Sequence, residues 1–258
     1  MIEVNNIKKI YKLSKKQAYA NKSSRKIAVN GVSFNAEDNE IFGLLGPNGA
    51  GKTTILRCIS TLIKPTEGDI LIDGYDVVKD SKKVRARIAF LTTELKLDNH
   101  FTPRYTMEYF GKLYGLTKNE IEHRIDLLFN EFGIKEFQHT KISELSTGMK
   151  QKISIAVSLV HDPDIIVFDE PTNGLDIITA RSVTEYLKQL KEEGKTLIIS
   201  THIMSVASNL CDRIAILIDG EVTLLGTQEY ILDKTETTNL EDAFFSIYNK
   251  VKKGDIYG

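Results

Sequence analysis

Apolar residues come in short unbroken runs near both ends of this chain and at helical spacing in its middle. The run "EIFGLLG" (40–46) predicts a buried strand closed by glycine, and "TTILRCISTLI" (53–63) predicts the helix that follows it. "GDILIDGYDV" (68–77) reads as strand around an Asp73-Gly74 turn, and "RIAFLTT" (87–93) as another apolar strand. Between Phe101 and Val160 strand signals almost vanish. Thr102-Pro103 opens a helix with proline at its first helical position. Thr117 and Glu120 have the spacing of a capping box. Ile121, Ile125, Leu128 and Phe132 then share one helix face, and Gly133 closes that helix. Strands return at "DIIVFDE" (164–170), "TLIIS" (196–200) and "RIAILI" (213–218), with a helix from about 176 to 193 between the first two. "IDGEV" (218–222) is a hairpin turn with Asp-Gly at its tip. The last segment, "LEDAFFSIYNK" (240–250), leads into a helix with Leu240, Phe244, Ile247 and Val251 on one side, the pattern of a docked tail.

Strands alternating with helices around an all-helical insertion predict an α/β core with a helical subdomain let into it. The expected division is one domain over residues 1–235, its helical subdomain at about 95–160, and a helical tail over 236–258. A chain of 258 residues, 41% hydrophobic and 27% charged, fits an ordinary globular protein. Its net charge of −1 argues against bulk attraction to nucleic acid, and no nucleic-acid partner is expected. Cys58 and Cys211 lack zinc-ligand spacing and read as reduced core thiols. The first residues lack the apolar run of a signal peptide, and no window approaches the ~18 consecutive apolar residues of a membrane helix. Charge is nonetheless uneven. From Val4 to Ala36 there is no acid, and the basic stretch 14–26 is either a solvated loop or a contact for phosphate or lipid headgroups.

Three motifs carry chemistry. "GPNGAGKTT" comprises Gly46, Pro47, Asn48, Gly49, Ala50, Gly51, Lys52, Thr53 and Thr54, and it matches the full phosphate-binding loop between an apolar strand and a helix. Its glycines let backbone N–H groups face phosphates, Lys52 supplies a charge to the outer two, and the Thr53 hydroxyl suits Mg²⁺. "IIVFDEP" (165–171) ends a buried strand in two acids. Asp169 offers a hard oxygen for Mg²⁺, and Glu170 a general base for an attacking water. In "STH" (200–202), His202 emerges at a strand's C-terminal edge, where open α/β sheets bind ligands. A nucleoside triphosphate is the expected ligand.

A fourth stretch, "LSTGMKQK" (145–152), has a helix N-cap at Ser146 and glycine at 148, the makings of a second anion site. Together the four motifs resemble the ATP-binding subunits of ABC transporters, over roughly residues 2–230. The tail and the details of the motifs are most similar to the ATPases of two-component Nat-type sodium exporters. The resemblance implies a P-loop NTPase (RecA-like) core, an antiparallel β subdomain and a helical subdomain. It implies ATP and Mg²⁺, with Lys52, Glu170 and His202 catalytic. Ser146, Thr147 and Gly148 would cap the γ-phosphate of ATP held by a second copy, in a head-to-tail dimer. Asp176, in "NGLD" (173–176), would contact that partner. Tyr11 would stack on adenine, with Tyr19 as its rival. A separately encoded permease would dock beside the helical subdomain, near the aromatics Tyr105, Tyr109, Phe110 and Tyr114, which otherwise read as a core stripe. The chain would then sit peripherally on the cytoplasmic face of the membrane.

Two departures from the family pattern stand out. Thr147 replaces a glycine of the signature and Met149 its glutamine. After "IAFL" (88–91), where the family places a metal-ligating glutamine, the chain reads Thr92, Thr93, Glu94. Spacing assigns the metal position to Thr93, with Glu94 next. A motor for a sodium, drug, lipid or peptide exporter is the leading reading, and a soluble or regulatory ATPase its rival.

Overall fold

A computed structural model describes residues 1–14, 23–92 and 97–254. Two sheets organise it. The smaller is antiparallel, in the order β2-β1-β4-β5, formed by β1 (Ile2–Lys12), β2 (Arg25–Ala36), β4 (Glu67–Ile72) and β5 (Tyr75–Asp76). The larger contains β3 (Ile41–Leu45), β6 (Ile88–Thr92), β7 (Ile165–Asp169), β8 (Thr196–Thr201), β9 (Arg213–Ile218) and β10 (Glu221–Gly226), in the order β10-β9-β3-β8-β7-β6. Strands β9, β3, β8, β7 and β6 are parallel, so their C-terminal ends share one edge.

Every residue of β3, β7 and β8 is buried, which is why they read as unbroken apolar runs rather than alternations. Their alternation still works inside the molecule. Ile165 and Val167 of β7 face a core shared with the small sheet and with Ile55, Leu56 and Ile59 of α1 (Lys52–Ile59). Ile166 and Phe168 face the opposite core. That second core is continuous with the helical insertion, through Met107 of α3 (Pro103–Leu113), Ile121, Ile125 and Leu128 of α4 (Lys118–Glu131), and Ile153 of α5 (Thr147–Ser158). A short α2 (Ser81–Arg85) precedes β6, and α6 (Ile177–Glu192) joins β7 to β8. A third cluster gathers β9, α7 (Met204–Leu210), α8 (Gln228–Thr235) and the tail helix α9 (Leu240–Lys253), which docks through Leu240, Ala243, Phe244 and Ile247.

The local signals act as their chemistry requires. Pro103 sits in the first turn of α3 behind the N-cap Thr102, and Thr117 with Glu120 closes a capping box. Asp219 and Gly220 both take positive φ, as a two-residue hairpin demands. Some expectations need correction. The helix after the glycine loop ends at Ile59 rather than 63, where Thr61 turns left-handed at φ 61°. Arg25 and Lys26, read as loop, belong to β2. The expected stripe of Tyr105, Tyr109 and Tyr114 is exposed rather than core, and only Phe110 packs inward.

Candidate functional site

The parallel register brings the motifs together. Leu45, the last residue of β3, lies opposite Thr201, and Asp169 at the end of β7 lies opposite both Ser200 and Thr92. The glycine loop, the acid pair and His202 therefore leave the sheet at one edge. A cavity of 390 Å³ opens there. The loop from Asn48 to Thr54 forms one wall, with Asp169 and Glu170 opposite and Tyr11 also lining it.

The loop is held tightly. A Cβ at Gly46 would lie 2.3 Å from the Leu217 carbonyl oxygen. At Gly51, where φ is 103°, it would lie 2.5 Å from the Ala28 carbonyl oxygen. Only glycine fits either place. Gly51 immediately precedes α1 and offers it no side-chain cap, so the first N–H groups of the helix are left for an anion.

Lys52 is 5% exposed, and its Nζ donates to the carbonyls of Gly46 (2.7 Å) and Pro47 (3.2 Å). Burial holds its ammonium below the usual lysine range, against the opposing pull of Glu170 and Asp169. Lys52 Nζ is 3.4 Å from Glu170 Oε1, while Glu170 Oε2 meets His202 Nδ1 at 2.9 Å. Each oxygen of Glu170 thus has its own neighbour. Its backbone sits at φ 54°, a left-handed conformation costly for a glutamate. The Thr53 hydroxyl donates to Asp169 Oδ1 at 3.2 Å. These are two hard oxygens at the cavity wall, the donor set Mg²⁺ takes together with phosphates and waters. Among the described residues no cluster of three His, Cys, Asp or Glu side chains offers a rival cage.

Sequence reasoning overlooked several residues here. Ser200, fully buried, donates to Asp169 Oδ1 (2.5 Å) and accepts from the Glu170 N–H (3.1 Å), so one hydroxyl braces both acids. Its place in "STH", beside the histidine, was the available signal. Arg57 lines the cavity one helical turn beyond Thr53, Lys26 lies directly across the strand pair from Tyr11, and Asn173 closes the rim. Lys26 alone among these was not wholly overlooked: it belongs to the basic stretch 14–26, for which a phosphate contact is one of the two readings.

Not everything converges. Ser146, Thr147, Gly148 and Asp176 do not line this cavity. They meet elsewhere. Ser146 caps α5 by accepting from the Met149 N–H (3.2 Å), and Asp176 caps α6 by accepting from Ile178 and Thr179 (3.0 Å each). A Cβ on Gly148 would lie 3.6 Å from Thr179 Oγ1 and 4.0 Å from Asp176 Oδ2. His202 reaches the cavity only through Glu170. Tyr19, Thr93 and Glu94 lie outside the described residues.

Comparison with known proteins bears on this geometry. The family model for ABC transporters matches residues 29–173, more than half of the chain. The chain is similar to the ABC transporter ATP-binding protein NatA of Bacillus subtilis (strain 168), 43% identical over 220 residues that cover 85% of this chain and 89% of NatA. It is 37% identical to the linearmycin resistance ATP-binding protein LnrL of the same organism, over 88% of this chain and 70% of LnrL. It is also 37% identical to the Nod factor export ATP-binding protein I of Rhizobium meliloti (strain 1021), over 81% of this chain and 62% of that protein. Among solved structures, an ATP-binding subunit of an ABC transporter superposes with a TM-score of 0.84 at 27% identity, over 96% of this chain and 99% of the other. The dimeric post-hydrolysis cassette MJ0796, bound to ADP and phosphate, superposes with a TM-score of 0.77 at 30% identity, over 88% and 98%.

Proposed function

This chain belongs to the ABC transporter ATP-binding family, and from that premise we propose that it is the ATP-hydrolysing motor of an export system, driving a separate membrane permease. The observation that carries this reading is the convergence of Lys52, Thr53, Asp169 and Glu170 on one cavity at one sheet edge.

The loop N–H groups and the start of α1 receive the phosphates of ATP. Lys52 exchanges its loop carbonyls for the outer phosphates, whose charge relieves the cost of its burial. Its departure frees Glu170 Oε1, while His202 keeps Oε2 in place. Glu170 then orients the attacking water and takes its proton, a role that contributes about 10²–10⁴-fold. Thr53 and Asp169 hold Mg²⁺, which when bound neutralises charge on the phosphate oxygens. Thr93 stands as the further candidate oxygen toward the metal, on sequence spacing alone. Tyr11 stacks on the base.

Ser146, Thr147 and Gly148 serve the nucleotide of a second copy, and Asp176 meets that copy. Their absence from the cavity of their own chain supports this, as does the dimeric state of the similar cassette MJ0796. The permease docks on α3 and the residue before its cap, where Phe101 and, on the helix, Tyr105, Tyr109 and Leu113 recur every fourth residue and are 41% to 68% exposed. No helix of the described residues is long and apolar enough to cross a membrane, so we place the chain peripherally, at the cytoplasmic face beside its permease. Sodium is the cargo we favour, from the Nat-type likeness of the sequence. The relatives named for linearmycin resistance and Nod factor export support the competing drug or lipid cargo.

The test is Glu170→Gln. We expect ATP binding to persist, hydrolysis to fall by about 10²–10⁴-fold, and a dimer to accumulate in ATP. In membranes extracted with mild detergent, a polytopic permease should co-purify, ready for sodium-flux assays in vesicles. A monomer under saturating ATP overturns the composite site, and soluble partners alone overturn the transporter.

A further inference from the structure

The basic stretch 14–26 ends in the nucleotide cavity, where its last residue, Lys26, forms part of the wall. Strand β2 puts it there. Lys26 pairs directly with Tyr11 of β1, so the two side chains share a sheet face. Ala28 comes next on that face and also lines the cavity. The Ala28 carbonyl oxygen is the atom that a Cβ on Gly51 would meet at 2.5 Å, so β2 touches the end of the glycine loop. Lys26 therefore stands about 7 Å along β2 from that contact, two residues back. It is exposed, beside Tyr11, on a flexible four-carbon stem.

The surroundings narrow what its charge meets. The sequence has no acid from Val4 to Ala36. Asp169 and Glu170, the acids that line the cavity, are both engaged: Asp169 by Thr53 and Ser200, Glu170 by Lys52 and His202. The nearby Lys9 is committed elsewhere. Its Nζ donates to the Lys64 carbonyl at 2.6 Å and lies 5.4 Å over the Tyr11 ring, which leaves the other ring face for a base. The ammonium of Lys26 thus faces a cavity whose anion comes from the ligand. Along a nucleotide laid from Tyr11 to Lys52, the anionic group nearest the base is the α-phosphate.

We propose that Lys26 binds the α-phosphate of the nucleotide, a side-chain charge contact at the base end of the cavity, separate from the glycine loop. The proposal rests on the reading of this cavity as the ATP site. Hydrolysis breaks the bond between the β- and γ-phosphates and leaves the α-phosphate as it was. The contact is therefore the same in ATP, in the transition state and in ADP. It supplies uniform binding, which lowers KM and holds ADP longer without raising kcat. Lys26 sets how firmly the product is kept, not how fast it is made.

The test titrates ADP, AMP and adenosine into the full chain, with and without Lys26→Ala, and measures KM for ATP on the same preparations. The dissociation constants for ADP and AMP should both rise by about threefold to tenfold, as expected for a partly exposed charge contact. KM should rise by the same factor, and adenosine should bind as before. Lys26→Arg should restore affinity and Lys26→Glu weaken it further. The difference should shrink at high salt, where exposed charges are screened. An equal loss for adenosine refutes the phosphate contact and makes Lys26 a wall of the base pocket. Unchanged ADP and AMP affinity refutes it as well and leaves Lys26 a solvated side chain. A fall in kcat with intact ADP affinity refutes it in a third way, by moving the charge to the outer phosphates. If the unaltered chain binds no ADP, the reading of the cavity as the ATP site falls with it.

Discussion

Ser200 illustrates how one buried hydroxyl sets a site. Its oxygen donates to the carboxylate proposed to hold Mg²⁺ and accepts from the backbone of the proposed general base. Removing it leaves Asp169 Oδ1 with only the Thr53 hydroxyl at 3.2 Å, and leaves the Glu170 N–H to the Ser200 carbonyl at 3.2 Å. Ser200→Ala is therefore expected to cost about 1.5–3 kcal/mol of stability, as a hydrogen bond to a buried carboxylate is lost. It should also raise the Mg²⁺ concentration for half-maximal hydrolysis by about tenfold, since outer partners orient the residues that hold a metal. Urea unfolding and a Mg²⁺ titration of ATPase activity measure the two effects. A loss of stability with unchanged Mg²⁺ dependence would leave Ser200 a packing residue only. The thiols act differently: burial pushes Cys58 up to about 11 and Cys211 higher still, so both stay protonated and inert at neutral pH.

At the scale of elements, the tail helix α9 separates burial from mere proximity. Phe244 is 5% exposed and packs with Ile216, Ile231 and Ile247, whereas its neighbour Phe245 is 50% exposed. Phe244→Ala should cost about 3–5 kcal/mol through lost burial and the cavity left behind. Phe245→Ala should stay within about 0.5 kcal/mol. If both substitutions prove neutral in urea unfolding, the tail is not part of the cooperative unit. We propose that the chain divides into one domain over 1–235 and a docked helical tail over 236–258. The helix is distinct in sequence, but it completes the core over β9.

At the scale of the molecule, function depends on surfaces that the single chain leaves open. Among the described residues, Phe101 and the exposed row Tyr105, Tyr109 and Leu113 of α3 belong to no hydrophobic core, and the rings of Phe101 and Tyr105 meet each other at 4.5 Å, tilted by 33°. Replacing Tyr105 and Tyr109 by alanine should abolish co-purification of the permease and leave ATP-dependent dimerisation of the Glu170→Gln protein intact. Pull-down and sedimentation on the same preparation check this. Retention of the permease would move its docking site elsewhere.

What the sequence determined by itself was whatever neighbours along the chain decide. The glycine loop from Gly46 to Thr54, the caps at Thr102, Thr117 and Ser146, and the Asp219-Gly220 turn each depend on a few adjacent residues, and each was legible. The long hairpin of β1 and β2 was not. Its register shifts between Val4 and Ile7 and again before Ile10, with Asn6 at φ 47°, and these irregularities break the period of two by which a strand is read. The meeting of Ser200 with Asp169, of Lys26 with Tyr11, and of Gly148 with Asp176 was likewise decided only by the tertiary structure. Those pairs are set by strand register and by which faces share a core, and both arise when distant segments exclude water together.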